Sequence, residues 1–251
     1  MALVSILANA LILAIEIGLI VAMATLGYRH PALFAALTAA LAFLMGLHLE
    51  RARLRNELPF YFGRAVSRSA FLVGLVATLE AAVKGLLAGL VALLTFSGTD
   101  QNRLFWVSIL FGASLFAATS LLRRLSISLD ALPARWGYFR LAAPCGLLFS
   151  IGMSLLVAAK LVPQAGLGDI ARRIVWETAP KPTIEQVSEL LFVFKQYLDG
   201  VIVAIAGTVL PPGWAEALGA IISVNLLSGF VVAVHAVAIA EIVRRLEAAA
   251  P

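Results

Sequence analysis

Apolar runs long enough to cross a lipid bilayer follow one another along most of this chain, at residues 3–26, 32–49, 71–96, 104–122, 141–162 and 214–243. A helix rises ~1.5 Å per residue, so ~20 apolar residues cover a ~30 Å hydrocarbon core. Backbone polar groups in that core must be satisfied within the segment, which makes the α-helix the spanning form for such runs. The chain is 62% hydrophobic and only 13% charged, with its charges gathered between the runs. These features exclude an ordinary soluble domain. They predict an all-α, polytopic integral membrane bundle that occupies residues 1–251 as a single domain.

The aromatic residues mark the run ends. Trp106, Trp136, Trp176 and Trp214, with Tyr28, Tyr61, Tyr138 and Tyr197, nearly all fall at or beside a boundary, where amphipathic rings settle at the headgroups. The run at 3–26 lacks the basic flank and small-residue cleavage site of a signal peptide and is expected to be a retained first helix. Residues 188–210 are ambiguous. The favoured count is six crossings, with 188–210 as an interfacial helix feeding a re-entrant turn at Pro211-Pro212-Gly213. If that segment crosses, there are seven, and Arg244 and Arg245 change sides.

Basic residues set the expected orientation. Arg51, Arg53, Arg55, Arg64 and Arg68 lie in the segment 50–70, and Arg123, Arg124, Arg135 and Arg140 in the segment 123–140. Cytoplasmic loops are enriched in arginine and lysine, so both segments and the N-terminus are expected inside the cell membrane. Aromatic residues interleave with these arginines, a pattern that suits docking on an anionic leaflet or a cytoplasmic partner protein. The segment 164–200 carries mixed charge and is expected to be extracytoplasmic and amphipathic. The net charge of +5 is accounted for by the loops; direct nucleic-acid contact has no motif behind it.

Charge inside a run is the sharpest functional signal. Glu80 and Lys84 stand near the centre of 71–96 at the four-residue spacing that stacks an acid and a base on one helical face. A mutual pair is expected there, facing protein or water, because an ionised group at the bilayer centre costs roughly 2.5 to 3.5 kcal/mol on insertion scales. Ala77, Ala81, Gly85 and Gly89 form a small-residue stripe on the same side, the kind of surface that lets helix backbones approach closely. The third helix is therefore expected to pack centrally. Glu16, Asn225 and His235 are further polar groups within runs, and with Glu80 and Lys84 they make a candidate polar interior that lines or gates a path. Lys195 and Asp199 repeat the four-residue spacing in the ambiguous segment.

Catalytic and metal-binding patterns are missing from the sequence. His235 and Glu241 lack the spacing of a helical zinc pair, His48 and Glu50 stand at a membrane edge, there is no Gly-x-Ser-x-Gly elbow or phosphate loop, and Cys145 reads as packing. No metal, no cofactor and no enzymatic activity are expected. Two functions stay open: a channel or transport subunit working in a homo-oligomer or with other membrane subunits, and a membrane scaffold that docks cytoplasmic partners. In size and topology the chain resembles membrane subunits of translocation machines, including type IV secretion and archaeal DNA-import systems, though no residue motif carries that likeness.

Overall fold

The computed structural model describes residues 2–62, 70–129, 140–162, 183–221 and 223–249. Among these there is no strand. The helices are α1 (Ala2–Arg29), α2 (Pro31–Phe62), α3 (Ala70–Thr95), α4 (Gln101–Leu129), α5 (Ala142–Ala158), α6 (Ile184–Gly207), α7 (Pro212–Ile221) and α8 (Ser228–Ala249), with a 3-10 turn at Val224–Leu227 before α8. Arg64, Arg68 and Arg135, and the stretch 164–182, lie outside the described residues.

Local chemistry sets the breaks. Proline has no N–H to give and suits the first helical position, so α1 ends just before Pro31, which opens α2. Gly98, at φ +104°, makes the turn from α3 into α4, a backbone conformation open to glycine. The Asp100 carboxylate then accepts from Asn102 N at 3.0 Å, satisfying a donor of the new helix. α6 opens on a reciprocal cap between Thr183 and Gln186, and Pro211-Pro212 separates α6 from α7. α2 outruns its apolar stretch because Arg53 bonds Glu57 at 2.8 Å one turn on, a spacing that supports an exposed helix.

Side-chain contacts fix the helix directions. Gly89 lies against Ala35 and Gly85 against Ala39 and Phe43, so α2 and α3 are antiparallel. Ser108 donates to the Ala24 carbonyl at 2.9 Å while Arg123 meets Glu16, so α1 and α4 are antiparallel as well. α8 runs from Ser228 beside Thr95, past His235 beside Thr38, to Glu247 beside Arg123. The starts of α1 and α3 and the ends of α2, α4 and α8 therefore share one end of the bundle, with Arg51, Arg53, Arg55, Arg123, Arg124, Arg244 and Arg245; this is the basic end.

At the opposite end, Gly98 N donates to Ser188 Oγ at 2.8 Å and so fixes the start of α6 beside the α3–α4 turn. α7 folds back along α6, with Gly219 against Val203, and Val224 N donates to Asp199 at 2.7 Å. The α6–α7 hairpin thus leaves and returns at the same end. Six helices are long and apolar enough to cross a membrane, α6 among them, whereas α5 has 17 residues. Through the contacts of Arg123 with Glu16 and Glu247, the start of α1 and the end of α8 lie toward the same, basic end.

The central helix is α8 rather than α3, which corrects the expectation drawn from the small-residue stripe. In α8, 67% of the apolar window is buried, against 28% in α3. From Val231 to Val237 every side chain is enclosed. The reason is width: alanine and valine on all sides make a thin, featureless rod that neighbours approach from every direction. α3 instead spends Ala77, Ala81, Gly85, Ala88 and Gly89 on its inward face, against α2, and turns Leu79, Val83, Leu86 and Leu87 outward.

The tightest crossing joins α5 to the start of α8. A Cβ on Gly229 would stand 2.1 Å from Gly146 N, and one on Gly146 would stand 2.2 Å from the Leu226 carbonyl oxygen. Gly229→Ala is expected to cost at least ~1 to 3 kcal/mol by forcing packed backbones apart. Gly74→Ala, with nothing within 4 Å of the added carbon, should be neutral or stabilising. Thermal unfolding of the purified variants checks this, and equal melting temperatures would overturn the crossing. Cysteines placed at Arg55 and Arg245, in a Cys145→Ser background, should label from one side of the membrane and one at Thr99 from the other.

Candidate functional site: polar clusters at the two ends of the bundle

Helical Cβ atoms tilt toward their own N-terminus. In the antiparallel α2–α3 pair, Glu50 and Lys84 therefore lean toward each other, and Lys84 Nζ forms its ion pair with Glu50 Oε1. The pair expected within α3 gives way to one between helices. Glu80 faces the same carboxyl group and stays in the field of Lys84. Arg53 Nη1 adds a second cation 3.6 Å from Glu50 Oε2. Glu50 is the first residue past the apolar run of α2. Lys84 thus starts midway along its own helix and delivers its charge to the boundary of the neighbouring one, as long basic side chains do in lipid.

A second clamp ties three helices at the same end. Glu16 of α1, 1% exposed, accepts from Arg123 of α4, which also reaches Glu247 of α8. Arg123 is thereby committed inside the bundle, a correction to its expected place on the docking surface. Arg53 is likewise engaged, by Glu57 and Glu50. Arg51, Arg55, Arg124 and Arg140 are exposed.

The middle of the bundle is aromatic. Phe34, Phe96 and Phe111 meet edge to face at centroid distances of 5.0 to 5.4 Å, and His235 stacks on Phe34 at 4.9 Å. Thr38 Oγ1 donates to the Phe34 carbonyl at 2.8 Å and lies 2.9 Å from His235 Nε2. Having spent its one proton on the carbonyl, the hydroxyl can only accept from the ring, which assigns the proton to Nε2.

Away from the basic end, Asn225 donates from Nδ2 to Ser223 Oγ at 2.7 Å, and its Oδ1 is buried without a partner. Lys195 and Asp199 do not close a pair with each other: Lys195 turns to the Leu94 carbonyl and Asp199 to Val224 N. Arg103, in the first turn of α4, stacks on Phe192 of α6 with its guanidinium carbon 3.5 Å from the ring centroid.

The candidate set of Glu16, Glu80, Lys84, Asn225 and His235 is therefore divided among four places and does not form one polar interior. The Phe34, Phe96 and Phe111 cluster separates the polar groups at the two ends. Sequence reasoning passed over Glu50, which stands at the edge of a run, and Arg103, the first basic residue after the α3–α4 turn. Among the described residues no group of three or more His, Cys, Asp or Glu is placed to hold a metal ion.

An all-α bundle with six helices long and apolar enough to span, tied together by ion pairs between those helices, defines a multi-pass α-helical membrane protein. Comparison with family models, with curated proteins and with solved structures finds no match for this chain.

Removing one side of a buried pair strands the other charge. Glu50→Leu and Lys84→Leu should each destabilise by roughly 3 kcal/mol, the low end of the range for buried pairs because Lys84 keeps some exposure. The double variant should lose less than the two singles together. Glu80→Leu should cost less than Glu50→Leu, since Glu80 is more exposed and its hydrogen bond is to the Glu50 carboxyl rather than to a cation. Unfolding titrations of the four variants check the order; additive losses would show that Glu50 and Lys84 do not neutralise each other.

Proposed function

We propose that this protein is a membrane scaffold, a structural subunit of a larger assembly, with its basic end in the cytoplasm. The observation that supports this reading is how its internal charges are used. Glu16 and Glu50 are each met by a cation from another helix, and the space between the two polar ends is filled by Phe34, Phe96, Phe111, Leu115 and Phe149. A path for an ion or polar solute needs hydrated groups in series. Here the acids and bases act as clamps, and passage of a solute would have to run between copies rather than through one.

The basic end then supplies the contact surface. α2 continues past its apolar run to Phe62 and α4 to Leu129, carrying arginines beyond the apolar boundary. Cytoplasmic orientation follows from the excess of arginine at that end. Partners of matching chemistry are an anionic leaflet and an acidic surface on a cytoplasmic protein. No catalytic step is assigned to the chain.

Liposomes containing the purified protein should pass protons and potassium no faster than empty ones. Charge reversal at the rim, Arg51→Glu with Arg55→Glu, should release whatever co-purifies in mild detergent, while the clamp variant Glu50→Leu with Lys84→Leu keeps it. A flux above that of empty liposomes, abolished by the clamp variant, would replace the scaffold reading with transport.

A further inference from the structure

Glu80 and Lys84 have the spacing of an ideal intrahelical pair, yet the ammonium passes Glu80 and bonds Glu50 of α2. The helix register shows how far it reaches. Gly89 packs on Ala35 and Ala39, and Gly85 on Ala39 and Phe43. Continuing that antiparallel match toward the basic end puts Glu80 about one helical turn from the level of Glu50, and Lys84 about two. The two acids lean toward each other, because each Cβ tilts toward its own helix N-terminus. The Glu80 carboxyl accordingly meets that of Glu50 in a hydrogen bond between the two acids.

A carboxylate has no hydrogen to give, so two of them in hydrogen-bond contact need one proton between them. The local charges say the same. Glu50, Glu57 and Glu80 share this patch with two cations: Lys84, which pairs with Glu50, and Arg53, which lies 2.8 Å from Glu57 and 3.6 Å from Glu50. α8 packs on both helices and spends Arg244 and Arg245 on its own Glu241, at 2.8 and 3.1 Å. His48 and Arg51 are exposed on α2. Three acids therefore face two bases. Burial makes the shortfall matter at Glu50, which is 2% exposed and keeps Oε2 enclosed without a hydrogen bond from an amide, hydroxyl or ammonium group.

We propose that Glu50 and Glu80 form a one-proton site whose occupancy decides which acid Lys84 neutralises. With the proton held, Glu80 is neutral, Lys84 goes to Glu50, and α2 and α3 are tied at this end by an ion pair and a carboxyl hydrogen bond. When the proton leaves for the solvent, Glu80 becomes a carboxylate one turn from Lys84 and competes for it. The two acids then repel each other, and both ties weaken. Glu80 is half-buried, so exchange with water at the basic end needs no path through the bundle. The site stands at the root of the α2 extension that carries Arg51 and Arg55, and the proton sets how firmly that arm is seated on α3.

Infrared spectroscopy of the purified full chain at neutral pH reads the proton through the C=O stretch of a neutral carboxyl. The band should be present in the wild type and lose intensity in Glu80→Gln. It should lose intensity in Glu50→Gln as well, because the ammonium then pairs with Glu80 and draws its proton off. Absence of the band from the wild type overturns the site, a result that requires no variant to fold; undiminished intensity in either variant overturns the sharing. Thermal unfolding gives a second reading. Stability that depends on a held proton is complete at low pH and is lost as the pH rises. Glu80→Gln, whose amide offers Glu50 a hydrogen bond at every pH, should match the wild type in mildly acidic buffer and melt at a higher temperature than the wild type in mildly alkaline buffer. Parallel pH profiles for the two proteins overturn the clasp.

Discussion

A carboxylate carried on an apolar helix has to be met by a cation from somewhere, and in this bundle it is met from a different helix. Glu16 reaches Arg123 and Glu50 reaches Lys84, so each acid is satisfied only when two helices are in register. Such pairs add little net stability over apolar residues of the same volume, because desolvation offsets much of the attraction and one oxygen of each carboxylate, Glu16 Oε1 and Glu50 Oε2, is buried without a hydrogen bond. What they contribute is selectivity. A helix shifted by one turn would leave a charge unpaired in a medium that does not forgive it, so the wrong registers are penalised more heavily than the right one is favoured.

Packing along the rest of the helices is generic by comparison. Small residues on α3 and the alanine and valine surface of α8 permit close approach but define register weakly, since one small side chain substitutes for another. The aromatic group of Phe34, Phe96, Phe111 and His235 restores some specificity at mid-height, because offset and edge contacts fix ring orientation. Register is then held at the basic end by charge and at the middle by shape. The Nε2–H of His235 belongs to the second device: it bonds Thr38, and the ring otherwise behaves as a fourth aromatic.

Much of this architecture is legible in the chain itself, and the parts that are not share a cause. Runs of apolar residues and their aromatic ends locate the helices, and the arginine-rich segments mark a common end, because each is a property of consecutive residues. Partnership across helices is not local. Lys84 has an acid at Glu80 at ideal intrahelical spacing, yet it bonds Glu50, which the sequence places at the edge of a different run. The tilt of Cβ toward each helix N-terminus makes that choice, and it operates only once α2 and α3 are known to be antiparallel. The same holds for α8. Its lack of a polar face is visible in the sequence, but its central position follows from neighbours on all sides. The Lys195 and Asp199 spacing misleads for the reason Glu80 and Lys84 do: i,i+4 geometry permits a pair, while tertiary contacts offered both residues something closer.

The two ends of the bundle are built on opposite principles. At the basic end the charges that enter the bundle are answered, and the arginines in excess lie on helix extensions where water and headgroups can solvate them. At the other end the chain folds α6 and α7 back on themselves, caps its carboxylates with backbone N–H groups, and leaves a guanidinium and an ammonium enclosed beside a glycine turn. Capping leaves each carboxylate with its charge and a second oxygen, so Glu189 and Asp100 still act on Arg103, and Asp199 on Lys195, across a longer gap. Three acids stand around two cations in this way, so charge at this end is answered through space over the α3–α4 turn and α6 rather than by ion pairs in contact.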